Sequence, residues 1–182
     1  PALHPTQPIV IFSDYVFDLG VMRVVAKNLE DLSETILTEV QVQNTFYYDL
    51  AWHPDGEHFA LIQRVDDLMQ VSLWNWDANF LTATNIFIID FPIEPPSLNL
   101  SLRWSSDGDL LAIAYAHEVE RAAGVAIFDI DLRNETATQI EDYRLTHLRD
   151  DVGVAMPDFA WSQDGSVLVV NFPSGPMVVW ER

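Results

Sequence analysis

The sequence predicts an all-β fold of repeated four-stranded antiparallel sheets. Three observations lead there: an internal repeat, an Asp-Gly turn at the same place in each copy, and an apolar, strand-like run after each turn. Repeats are sought first because a missed one misassigns every element downstream.

Three segments align without gaps: DLAWHPDGEHFALI from Asp49, SLRWSSDGDLLAIA from Ser101 and DFAWSQDGSVLVVN from Asp158. Their tryptophans, Trp52, Trp104 and Trp161, stand 52 and 57 residues apart. That spacing slightly exceeds the roughly 40–50 residues of common four-stranded propeller blades and leaves room for longer loops. Asp55-Gly56, Asp107-Gly108 and Asp164-Gly165 each separate two apolar runs, where glycine supplies the positive φ of a tight hairpin turn. Each unit therefore opens with a hairpin, and Trp52, Asp55, Gly56, Trp104, Asp107, Gly108, Trp161, Asp164 and Gly165 are its structural signature.

A third strand follows each hairpin: MQVSLWNWD from Met69, GVAIFDID from Gly124 and PMVVWER from Pro176. Outer fourth strands read at TNIFIID and TATQIED. Upstream, Leu29, Leu32, Ile36 and Val40 recur at helical spacing. The β-branched composition of ETILTEV and the rhythm of the units downstream favour instead a strand VMRVVAK, a turn through Asn28 to Ser33, and a second strand.

The Trp-x-x-Asp-Gly hairpin followed by a strand ending near Trp-Asp resembles WD-repeat β-propellers, and it looks equally like the Tol-type propellers of bacterial periplasms. DLAWHPDGEHFALI is the best match, with Trp52, Pro54, Asp55 and Gly56 all in place. The literal Trp-Asp pair occurs at Trp76-Asp77. The resemblance implies that Trp52, Trp104, Trp161 and Trp180 pack blade on blade.

With IVIFSD as a second strand whose first is absent, the chain gives 14 strands, or about three and a half blades: residues 8–43 (partial), 44–92, 97–142 and 155–182 (partial) of a single propeller region, 1–182. Propellers close their rings and so leave only short edges. Completion is therefore expected from blades of a longer parent chain, from a second copy in a homo-oligomer, or from the amino-terminal strand.

Composition restricts partners. Acidic residues outnumber basic ones 28 to 9, a net charge of −19, which opposes binding to nucleic acid and to anionic membrane. The longest apolar runs fall far short of the roughly 20 residues of a membrane-spanning helix. The absence of cysteine excludes disulfides, thiolate metal sites and cysteine nucleophiles. The seven glycines are dispersed, with no phosphate-binding loop, and no G-x-S-x-G elbow occurs. His53 and His58 flank a turn at a spacing of five and read as polar turn residues.

No catalytic residue, cofactor or metal is therefore expected. Two excursions are candidates for contact: HEVERAAG from His117, and RLTHLRDDVGVAMP from Arg144. The second mixes Arg144, His147, Arg149, Asp150 and Asp151 with apolar residues and suits a protein partner. The expected role is a non-catalytic scaffold for protein–protein interaction. The alternatives are the propeller of a larger enzyme, such as a prolyl-oligopeptidase-like hydrolase, and a binder of small ligands or carbohydrates.

Overall fold

The computed structural model describes residues 1–41, 45–65, 68–91, 97–117, 121–146, 155–173 and 175–182. These residues form strands, turns and coil. Contacts divide the chain into two compact units, Pro1–Pro92 and Ile93–Arg182.

The first unit holds two four-stranded antiparallel sheets, each in sequence order. One comprises β1 (Ala2–Leu3), β2 (Ile9–Val16), β3 (Val21–Asn28) and β4 (Glu34–Gln41); the other comprises β5 (Thr45–Trp52), β6 (His58–Val65), β7 (Leu68–Asp77) and β8 (Thr82–Phe91). The second unit holds a four-stranded sheet of β9 (Ser97–Trp104), β10 (Leu110–His117), β11 (Ala122–Asp131) and β12 (Thr136–Leu145). A three-stranded sheet follows, of β13 (Asp158–Trp161), β14 (Val167–Asn171) and β15 (Met177–Glu181). The segment with helical spacing is the β3–β4 hairpin: Val25 faces Ile36 across the pair, and tertiary pairing overrides the local pattern.

The first strand of the first blade, expected to be absent, is present. Ala2 pairs with Ile11 and Leu3 with Val10, which brings the strands among the described residues to 15 and makes the sheet four-stranded. Leu3-His4-Pro5 stands where Trp52-His53-Pro54 stands in the second blade, with Leu for Trp and no Asp-Gly to announce the turn. The backbone nevertheless turns in the same way. His4 N–H donates to Ile9 O at 2.8 Å, His53 to His58 at 2.9 Å, Ser105 to Leu110 at 2.8 Å and Ser162 to Val167 at 2.8 Å. In each blade the residue before the second strand then accepts a bond from the third strand or the residue just after it: Pro8 from Leu29, Glu57 from Trp76, Asp109 from Ile130 and Ser166 from Arg182.

Among the described residues, a core lies between the two sheets of each unit. Ile11, Met22 and Val24 meet Leu50, Trp52, Phe59, Leu61 and Trp76 in the first. In the second, Leu110, Ala112, Ala114, Val125 and Ile127 meet Phe159, Leu168, Val170 and Trp180. β10 is buried along its whole length, which explains the unbroken apolar run LLAIAYA, whereas β12 is mostly exposed. Burying each large apolar side chain contributes about 1.5–3 kcal/mol, so these interior faces carry the stability of each unit.

Candidate functional site

The repeat turns are built by a division of labour within one carboxylate. Asp55 Oδ1 accepts the amides of Glu57 at 2.8 Å and His58 at 3.1 Å. Asp107 Oδ1 accepts the Asp109 amide and the Ser105 hydroxyl, and Asp164 Oδ1 accepts the Ser166 amide and the hydroxyls of Ser162 and Ser166. Ser105 Oγ and Ser162 Oγ in turn accept the amides of Leu110 and Val167, each at 2.9 Å. Glycine follows with φ of 73°, 84° and 72° at Gly56, Gly108 and Gly165, the conformation the turn requires.

The hydroxyls of Ser162 and Ser166 and the Ser166 amide hold the Asp164 carboxyl at about 2. At Asp55 and Asp107 burial pushes the pKa up, but hydrogen bonds outweigh it and both carboxyls lie below their usual range. The outvoting bonds at Asp55 come from His58, the Glu57 amide and His53; at Asp107 they come from Ser105 and the Asp109 amide, with Arg182 adding its charge. The second oxygen of each carboxylate serves differently. Asp107 Oδ2 accepts Arg182 Nη1 at 2.7 Å. Asp55 Oδ2 lies 2.9 Å from His53 Nδ1 and 2.8 Å from His58 Nδ1.

His4 ties the first blade to the second. Its Nδ1 accepts the amides of Thr6 and Gln7 at 3.1 and 3.0 Å, which requires the tautomer with the proton on Nε2, and Nε2–H donates to Gly56 O at 2.8 Å. The buried ring meets Trp52 edge-on at 4.6 Å, and Trp52 Nε1–H donates to Ala2 O at 3.2 Å. The same device recurs in the second unit, where Trp161 Nε1–H donates to Arg103 O at 3.2 Å.

These turns frame an open cleft of about 420 Å³ in the first unit, between His4–Gln7, Asp55–Glu57 and Asn75–Asn79. Three carboxylates, Asp55, Glu57 and Asp77, stand on its wall, and amides and a hydroxyl from Gln7, Asn75, Asn79 and Thr6 add donors and acceptors. The arrangement suits a cationic or multiply hydrogen-bonding ligand.

All nine signature residues lie at the turns or at the strand ends beside them. Trp52, Trp104 and Trp180 are buried as core, whereas Trp161 is only half-buried, its ring edge-on to Trp180 at 5.8 Å. Of the proposed contact loop, Arg144 sits within β12 opposite Gly124, while His147, Arg149, Asp150 and Asp151 lie outside the described residues. The other excursion is shorter than expected, because Ala122 and Ala123 already pair with His117 and Ala116. Two features escaped the sequence reading: the turn at His4, signalled only by a second His-Pro, and the gathering of His53, Asp55 and His58. The signal for the latter is that the other two repeats carry serine and an aliphatic residue at the flanking positions.

No family model and no curated protein matches the chain. Solved structures do. A putative 6-phosphogluconolactonase from Bacteroides fragilis matches at 17% identity and a TM-score of 0.59, over 96% of this chain and 51% of that one. TolB from Acinetobacter baumannii matches at 12% and 0.56, over 100% and 40%. The β-propeller domain of the Trilobed protease from Pyrococcus furiosus, which has an open velcro topology, matches at 12% and 0.58, over 100% and 53%. At these identities the likeness shows the fold alone: the chain is a β-propeller segment. It spans about half the length of the first solved chains it matches, 51% and 54%.

Proposed function

We propose that this chain is a WD- or Tol-like propeller module that binds another protein and carries no reaction centre of its own. The observation that carries this reading is the cleft at the repeat turns of the first unit, where Asp55 and Glu57 of the β5–β6 turn meet Asp77 at the end of β7 on a sheet scaffold. A net charge of −19 draws in a basic partner segment and repels polyanions. Arg144, His147, Arg149, Asp150 and Asp151 form the second proposed contact.

Glu57 is exposed and its side chain lines the cleft, so Glu57→Lys reverses charge there. Partners crosslinked to the parent chain in extract of its source are expected to be lost with Glu57→Lys and to weaken as salt rises. Equal recovery by both proteins refutes the cleft as the contact. A second reading, the propeller of a larger hydrolase, is favoured by the half-length match to enzyme-associated propellers. A parent reading frame that continues into a G-x-S-x-G hydrolase would establish it.

A further inference from the structure

We propose that His53, Asp55 and His58 form a binding site for a divalent transition-metal ion, copper(II) above all, on the first turn of the second blade. Each residue offers one ligand atom, and the three atoms lie within 4.8 Å of one another. Both imidazoles turn Nδ1 toward the same oxygen, Asp55 Oδ2, at 2.9 and 2.8 Å.

The repeat provides an internal comparison. The third and fourth blades build the same turn, with the same backbone bonds, from Ser105 and Leu110 and from Ser162 and Val167. The fold thus needs neither histidine at these positions. Nor does it need Oδ2, because Oδ1 alone accepts the turn amides of Glu57 and His58. The convergence of two imidazoles on one carboxylate oxygen is therefore what sets the second blade apart; the first carries His4 at the place of His53 but Thr6 and Ile9 at those of Asp55 and His58.

The 2.9 and 2.8 Å separations are those of imidazole–carboxylate hydrogen bonds, so a cation bound here takes the place of the protons shared with Oδ2. At metal–ligand distances of about 2.0–2.1 Å, separations of this size correspond to angles of roughly 90°. Right-angle coordination by nitrogen and oxygen is the preference of copper(II) and nickel(II), whereas a tetrahedral zinc site spreads its ligands farther apart. Water completes the coordination, and the acidic surroundings concentrate cations.

The test is calorimetric titration of the intact chain with copper(II), alongside His53→Ser and His58→Leu, substitutions that reproduce the sibling turns and so retain the fold. One equivalent is expected to bind, each substitution weakening it about tenfold or more. Independently of the variants, the electron paramagnetic resonance spectrum of the loaded parent is expected to show coupling to two imidazole nitrogens. Unchanged affinity in both variants, or a spectrum without imidazole coupling, overturns the assignment. The same spectrum decides the matter if a variant fails to fold.

Discussion

Two glycines with nearly the same backbone conformation but different surroundings isolate the contribution of His4. Gly20 and Gly56 have φ of 63° and 73°, yet a Cβ added at Gly20 meets nothing within 4 Å, whereas at Gly56 it lies 2.7 Å from His4 Cε1. An L-residue in the left-handed region costs about 1–2 kcal/mol, which is the whole expected cost of Gly20→Ala. Gly56→Ala carries the same cost and also displaces the His4 ring. That ring makes three hydrogen bonds, with Thr6, Gln7 and Gly56, each contributing about 0.5–1.5 kcal/mol. Its edge contact with Trp52 adds about 0.5–1.5 kcal/mol, so Gly56→Ala should cost about 4 kcal/mol more than Gly20→Ala.

Urea unfolding followed by tryptophan fluorescence reads this directly. With a slope of about 2–3 kcal/mol per molar, the two alanine variants should differ in midpoint by about 1.5 M. In a His4→Ala background the ring is gone, and Gly56→Ala should fall back to about 1–2 kcal/mol. An equal cost of Gly56→Ala in both backgrounds would refute the claim that His4 clasps the second blade through this turn.

Other outcomes follow from the same geometry. Trp52 and Trp76 are both buried, at 8% and 4% exposure, but Trp52 Nε1–H has Ala2 O while Trp76 Nε1–H has no partner among the described residues. Trp76→Phe should therefore cost about 1–2 kcal/mol less than Trp52→Phe in equilibrium unfolding, and a larger cost at Trp76 would contradict this account. A Cβ at Gly124 would sit 2.4 Å from the Tyr115 ring and 2.7 Å from the Tyr143 backbone oxygen, so Gly124→Ala should lower stability by about 1–3 kcal/mol in thermal denaturation. Asp164, depressed to about 2 in the folded chain, stabilises the last turn above its unfolded pKa near 4; that contribution should fade as pH drops from 4 toward 2. A carboxyl-carbon titration with a midpoint near 4 would contradict the hydroxyl bonds from Ser162 and Ser166.

What the sequence revealed was whatever repeats locally. Trp-x-x-Asp-Gly names its own turn, because aspartate caps the following amides and glycine takes the positive φ; three hairpins were legible from those residues alone. The first blade was not, since His4 performs with an imidazole and Thr6 and Gln7 amides what the third and fourth perform with serine and aspartate. The β3–β4 hairpin was legible only by analogy, as Leu29, Leu32, Ile36 and Val40 fit a helix equally well. The His53, Asp55 and His58 constellation was hidden for another reason. Spacing in sequence does not tell where two imidazoles point, and the turn alone brings both to one oxygen.

The two oxygens of the turn aspartate also bear on how a repeat protein acquires differences between its blades. One oxygen is committed to the backbone and is the same in every Asp-Gly copy. Its twin faces outward, accepting an arginine in the third blade and meeting two histidines in the second. A blade can change the partner of that outward oxygen without disturbing the bonds that shape the hairpin. Chemical novelty and folding information thus occupy separate atoms of a single side chain, and each copy of the turn is free to vary in the one while holding to the other.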